Sequence, residues 1–142
     1  MEVLEDELYA SIIELTGKAE SYFEDQYYLK AIELYSEALN LVPIPKTRWE
    51  TSTWIYTAIG DSFFMLQDYQ NALTNLLDAY NCPGGVENPF INLRLGQCYY
   101  ETDNSVKTED YLLRAYMIEG EDIFKSEDNK YFKYLKSKFN LS

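Results

Sequence analysis

Three times in this 142-residue chain a small residue recurs with the same neighbours at the same distances. Ala19, Gly60 and Gly96 are each followed three residues later by an aromatic ring, Tyr22, Phe63 or Tyr99. Twelve residues past the small position stand Ala31, Ala72 and Thr108; four further on, Tyr35, Leu76 and Leu112; three beyond those, Ala38, Ala79 and Ala115. Two antiparallel helices approach closely only where one side chain is small, and large side chains a turn away fill the groove beside the crossing. A register kept three times therefore restricts the chain to repeated helical pairs, stacked because no pair covers its own apolar face.

Local patterning agrees. Leu4, Leu8, Ile12, Leu15, Ala19 and Tyr22 lie on one helical stripe, and Tyr28, Ala31, Tyr35, Ala38 and Val42 repeat the spacing until Pro43 stops it. The segment PIPKTRWETS reads as a loop with Thr47 and Thr51 as candidate N-caps. Further helices are predicted over 49–66, 69–80, 90–100 and 106–117, with Asn88-Pro89 as an N-cap followed by proline at the first helical position. Gly120 ends the sixth, and a last amphipathic helix runs over about 126–139. No strand alternation competes with this reading.

The pattern resembles the tetratricopeptide repeat, with its small residue in helix A, alanines at two places in helix B and a closing proline. The resemblance covers repeats at about 12–45, 53–86 and 89–120 within one domain spanning 1–142, plus a capping helix at about 126–139. Pro43 holds the closing position, Pro83 falls one residue early and Gly120 replaces it in the third repeat. The family's early Trp is replaced by Leu15, Tyr56 and Asn92; at its Leu stand Lys18, Ile59 and Leu95. The implied fold is all-α, a right-handed superhelix of about seven antiparallel helices whose inner surface is lined by helix A. On this chain the family's inward positions fall on Ile13, Trp54 and Phe90; Thr16, Thr57 and Leu93; Glu20, Asp61 and Gln97; and Phe23, Phe64 and Tyr100. All of these except Thr16 are the candidate partner-binding residues. The family's basic clamp for a C-terminal carboxylate is not supported, because Thr16, Glu20, Ala58 and Phe90 occupy four of its positions and only Arg94 keeps the basic character.

Charge narrows the partner. The chain has 24 acidic and 12 basic residues, net −12, and no histidine. Residues 1–122 carry net −15 and residues 123–142 net +3, a field that repels nucleic acid and anionic membranes. In the last helix Lys130, Lys133, Lys136 and Lys138 are expected to face solvent while Tyr131, Leu135 and Phe139 cover the final repeat. Without imidazole the commonest general bases and metal ligands are missing, so no catalytic residue, metal or cofactor is assigned. The adjacent acids Glu24-Asp25, Glu109-Asp110 and Glu121-Asp122 lack a calcium loop or a glycine-rich phosphate cradle and read as solvated helix ends. Cys82 and Cys98 lack metal-site spacing and read as small buried thiols, with one disulfide left open. The acidic N-terminus is unlike a secretory signal and no apolar run reaches 18 residues, so a soluble cytoplasmic protein is expected.

Aromatic residues at the edges of the helix A face, with acids between them, point to a non-catalytic protein-binding module. The leading expectation is an immunity protein that neutralises a basic toxin domain; residues 88–124 loosely resemble short bacterial repeat proteins that accompany polymorphic toxins. The alternative is a secretion or adaptor chaperone holding an extended segment of an exported substrate. Exposed repeat ends leave a homodimer open.

Overall fold

The computed structural model describes residues 3–141. Seven α-helices occur among them: α1 Asp6–Glu24, α2 Tyr28–Leu41, α3 Glu50–Met65, α4 Tyr69–Tyr80, α5 Pro89–Glu101, α6 Ser105–Glu119 and α7 Asn129–Lys138. Single 3₁₀ turns stand at Lys46–Arg48 and Glu121–Phe124, and the described residues contain no strand. No helix among them is long and apolar enough to cross a membrane. They divide into two compact units, the first ending at Gly85 and the second beginning at Val86.

In the first unit α1 packs on α2, α2 on α3 and α3 on α4. Its core joins Ile12 and Ala19 of α1 to Ala31, Leu34, Tyr35 and Ala38 of α2 and to Ile55 and Ile59 of α3. Burying a large aliphatic side chain of this set stabilises by roughly 1.5–3 kcal/mol. In the second unit α5 packs on α6, and α6 carries α7. The repeated small position does what its spacing implies. A Cβ on Gly60 would lie 2.6 Å from Leu76 Cγ, and one on Gly96 would lie 2.7 Å from Leu112 Cγ and 2.9 Å from the Leu112 backbone nitrogen.

Each helical pair turns on the same joint. Gln26, Gln67 and Asp103 have φ of 67°, 62° and 62°, and each lies seven residues after its small residue. The residue after each joint donates its N–H back to the aromatic three residues past the small position: Tyr27 to the Tyr22 carbonyl (2.8 Å), Asp68 to Phe63 (2.9 Å) and Asn104 to Tyr99 (2.9 Å). These bonds satisfy carbonyls that a helix end leaves open, and the left-handed residue makes them reachable. Glycine is the usual occupant of such joints, so the sequence alone does not mark these three.

Of the seven α-helices among the described residues, four begin with a side-chain cap, and α1, α2 and α3, with Glu5, Tyr27 and Trp49 at the N-cap, do not. Asp68, Asn88 and Asn104 accept from Asn71, Ile91 and Lys107 N–H at 3.2, 3.1 and 3.1 Å, and Asp128 accepts from Lys130 N–H at 2.9 Å. The expected Thr47 and Thr51 caps do not form. Trp49 is the N-cap of α3 and has no side-chain cap bond, because an indole offers no acceptor to a backbone N–H; its own N–H donates to the Pro43 carbonyl at 2.9 Å. Lys46 closes the preceding helix by donating to the Leu39 and Val42 carbonyls at 2.9 and 2.8 Å. Cys82 and Cys98 are both buried thiols and no disulfide joins them.

Two substitutions separate the close approach from helix propensity. Gly96→Ala is expected to destabilise by about 1–3 kcal/mol through overpacking on Leu112. Gly17→Ala, on an exposed position with open space around it, is expected to stabilise by about 0.5–1 kcal/mol. Thermal melts followed by circular dichroism decide both; equal shifts in the same direction would show that the approach is not tight.

Candidate functional site

The two units treat the carried-over positions differently. In the first unit all but Thr16, which is buried, stay at least partly accessible. On α1 Ile13 is 42% exposed, Glu20 is exposed and Phe23 is half-buried; on α3 Trp54 is 37% exposed, while Thr57, Asp61 and Phe64 are half-buried. Each half-buried ring is steadied edge-on by the first residue of the following helix: Phe23 by Tyr28 at 5.2 Å and Phe64 by Tyr69 at 5.8 Å. The Thr57 hydroxyl donates to the Thr53 carbonyl at 2.6 Å and so turns back onto its own helix.

In the second unit α5 is buried on every side from Ile91 to Cys98. Leu93 and Gln97 lie inside, at 1% and 0% exposure, which removes both from the accessible face expected of them. For Gln97 the reason is a polar network that the residue spacing does not show. Arg94 Nη1 donates to Gln97 Oε1 at 2.7 Å, the Gln97 amide donates to Glu127 Oε1 at 2.9 Å, and Arg94 Nη1 pairs with the same carboxylate oxygen. The guanidinium also lies over the Phe90 ring, 4.7 Å from its centroid. Tyr100 is flanked edge-on by Tyr131 and Tyr134 of α7, at 5.3 and 5.4 Å. The Tyr131 and Tyr134 hydroxyls donate to Glu101 and Glu109 at 2.7 and 2.8 Å. Lys130, Lys133, Lys136 and Lys138 are all exposed, as expected, and Lys130 also pairs with Glu101 at 2.8 Å.

The accessible face of the first unit contains a pocket of about 310 Å³. Glu20, Phe23 and Glu24 of α1, Tyr35 of α2, and Ala58 and Asp61 of α3 line it. Glu20, Phe23 and Asp61 are anticipated members; Glu24 and Tyr35 are additions. The signal for Tyr35 lies in the repeat itself, where Leu76 and Leu112 hold the equivalent position and are wholly apolar and buried. A phenol in a leucine's place brings a polar atom to a wall the other pairs keep dry. Burial, and then the charges of Glu20, Asp61 and Glu24, push the Tyr35 phenol up to about 12.

No family profile matches the chain, and no curated protein matches it. Among solved structures it is similar to the first TPR of Spaghetti (RPAP3) bound to the HSP90 peptide SRMEEVD, with a TM-score of 0.70 and 15% identity over 90% of each chain. The chain thus has the tetratricopeptide-repeat fold.

Glu127→Ala removes the carboxylate from a buried guanidinium and is expected to cost about 3 kcal/mol in denaturant unfolding. Glu14→Ala, which breaks an exposed pair with Lys18, is expected to change stability by less than about 0.5 kcal/mol. Similar small losses from both would show that the network carries little. Tyr35 also sets a pH dependence. Its proton is held more tightly folded than unfolded, so its contribution is complete below pH 10 and is lost as pH rises towards 12. Tyr35→Phe should reduce the loss of stability across that window in melts taken from pH 9 upward.

Proposed function

We propose that this protein is a non-catalytic protein-binding module, and most specifically an immunity protein that binds and neutralises a basic toxin domain in the cytoplasm. What supports this reading is that α1 and α3 keep Ile13, Phe23, Trp54 and Phe64 at least partly accessible, with Phe23 sharing a pocket with Glu20, Glu24 and Asp61, in a body of net −15. Apolar and aromatic side chains left this open supply anchoring area, and acids between them set orientation and speed encounter with a surface of opposite charge. The last helix, net positive, is occupied with closing the second unit, through Tyr131, Tyr134 and Lys130.

The structural neighbour favours binding in general and not its own ligand in particular. SRMEEVD carries three acids and one base, and like charge would hold such a segment off Glu20 and Glu24. That a protein of this fold is bound to a short peptide supports the second reading, a secretion or adaptor chaperone that holds an extended basic segment. A structure of the complex separates the two: a folded catalytic domain on the face supports immunity, and an extended segment supports the chaperone.

The decisive experiment is co-expression with each neighbouring reading frame that encodes a basic protein. Rescue of growth from a toxic neighbour, with recovery of a stoichiometric complex, is the expected result; absence of both overturns the immunity reading. On that complex Trp54→Ala should weaken binding by tenfold or more while the melting temperature stays within about 2 °C. Phe64→Ala, at a half-buried ring, should lower both. Glu20→Lys should slow association at low salt, and the difference from the unmodified protein should shrink as salt rises.

A further inference from the structure

Tyr35 is 4% exposed, yet its hydroxyl oxygen is not among the side-chain atoms sealed from solvent without a partner, which are Ser52 Oγ and Asn92 Oδ1. No hydrogen bond from the described residues engages it, so the little of Tyr35 that stays accessible includes an oxygen with bonding capacity open towards the pocket that Tyr35 lines. The carboxylates whose charge reaches this phenol are Glu20, Asp61 and Glu24, the same three that line the pocket with it. The hydroxyl therefore belongs to the pocket wall and not to the apolar interior beyond it. Among the described residues neither Glu20 nor Glu24 has an ion-pair partner, although lysines elsewhere on α1 and α2 pair with Glu14 and Glu33.

From this arrangement we propose that the pocket is a recognition site for one basic side chain, a lysine ammonium or an arginine guanidinium, presented by the protein partner. A cationic N–H donor gives the phenolic oxygen the partner it lacks, and the flanking carboxylates neutralise the charge. The Phe23 ring and the Ala58 methyl take the aliphatic stem. An anion is repelled by three acids, and an apolar group would desolvate them without compensation. A metal ion is disfavoured because among the described residues no group of three acids or thiols is placed to hold one. The inference rests on the protein-binding reading only in naming a protein as the source of the side chain.

The full-length protein, labelled with ¹⁵N, tests this by amide-shift titration at low ionic strength with four capped tripeptides, Gly-X-Gly, in which X is lysine, arginine, norleucine or glutamate. Lysine or arginine peptides are expected to shift Phe23, Tyr35 and Ala58, and whichever binds more tightly identifies the side chain. Binding should weaken about tenfold in 0.5 M salt. Tyr35→Phe should weaken it threefold or more with no loss of melting temperature, since it removes only an unpartnered hydroxyl. Glu20→Gln with Glu24→Gln should abolish it. The inference is overturned if norleucine binds as well as lysine, if calcium alone produces the same shifts, or if Tyr35→Phe binds like the unmodified protein. Silent peptides alongside a basic protein partner still sensitive to Trp54→Ala would remove the pocket and leave the binding module. Peptide binding at the pocket with no basic protein partner found would do the reverse.

Discussion

Close contact between two helices at a residue without a bulky side chain is the constraint from which the rest of this structure follows. At Gly60 and Gly96 the facing leucine fills the space a Cβ would need, so helix A can neither rotate nor slide without opening a void or a clash. That fixes which residues of helix A turn outward, and the two outward faces then diverge according to what is laid upon them. Among the described residues of the first unit the face remains open. In the second it is closed by the polar network of Arg94 and Gln97 with Glu127, and by the rings of α7.

The divergence explains what could be read in the chain and what could not. Helix number, helix order and the small positions are legible because they depend on spacing within one helical pair, and spacing is written directly in the sequence. The observed helices differ from the expected ones by a few residues at most, the last starting at Asn129 instead of about 126. Accessibility is a different kind of property. Leu93 and Gln97 have the periodicity of an outward face, and nothing in that periodicity announces that Glu127, 30 residues beyond Gln97, supplies a carboxylate to hold the Gln97 amide inside. The turn joints were hidden for a second reason. A glutamine or aspartate held at positive φ gives no glycine to notice, although its constant distance from the small residue is plain once the structure shows what that distance does.

Tyr35 lies between these cases. Its size and register mark it as a core residue, and its ring is one. Only comparison with Leu76 and Leu112 singles out the oxygen, and only the structure places that oxygen among acids from two other helices. A repeat protein offers an internal control of this kind: three copies of one scaffold, in which the copy that departs from the others in polarity shows where a scaffold position has acquired a further use.

The Glu127 contact has a consequence for how such a protein could grow. Solenoids lengthen by adding like units to an apolar end, each new pair accepting the previous surface. Here the carboxylate comes from outside the repeat register, and it is bonded to the side chains of helix A itself. Another pair docked in place of Glu127 and α7 would have to bring an acid to the same point or leave the Arg94 guanidinium without that carboxylate. Within the second unit, Arg94 and Gln97 thus tie helix A to the segment ahead of α7 by charge as well as by shape.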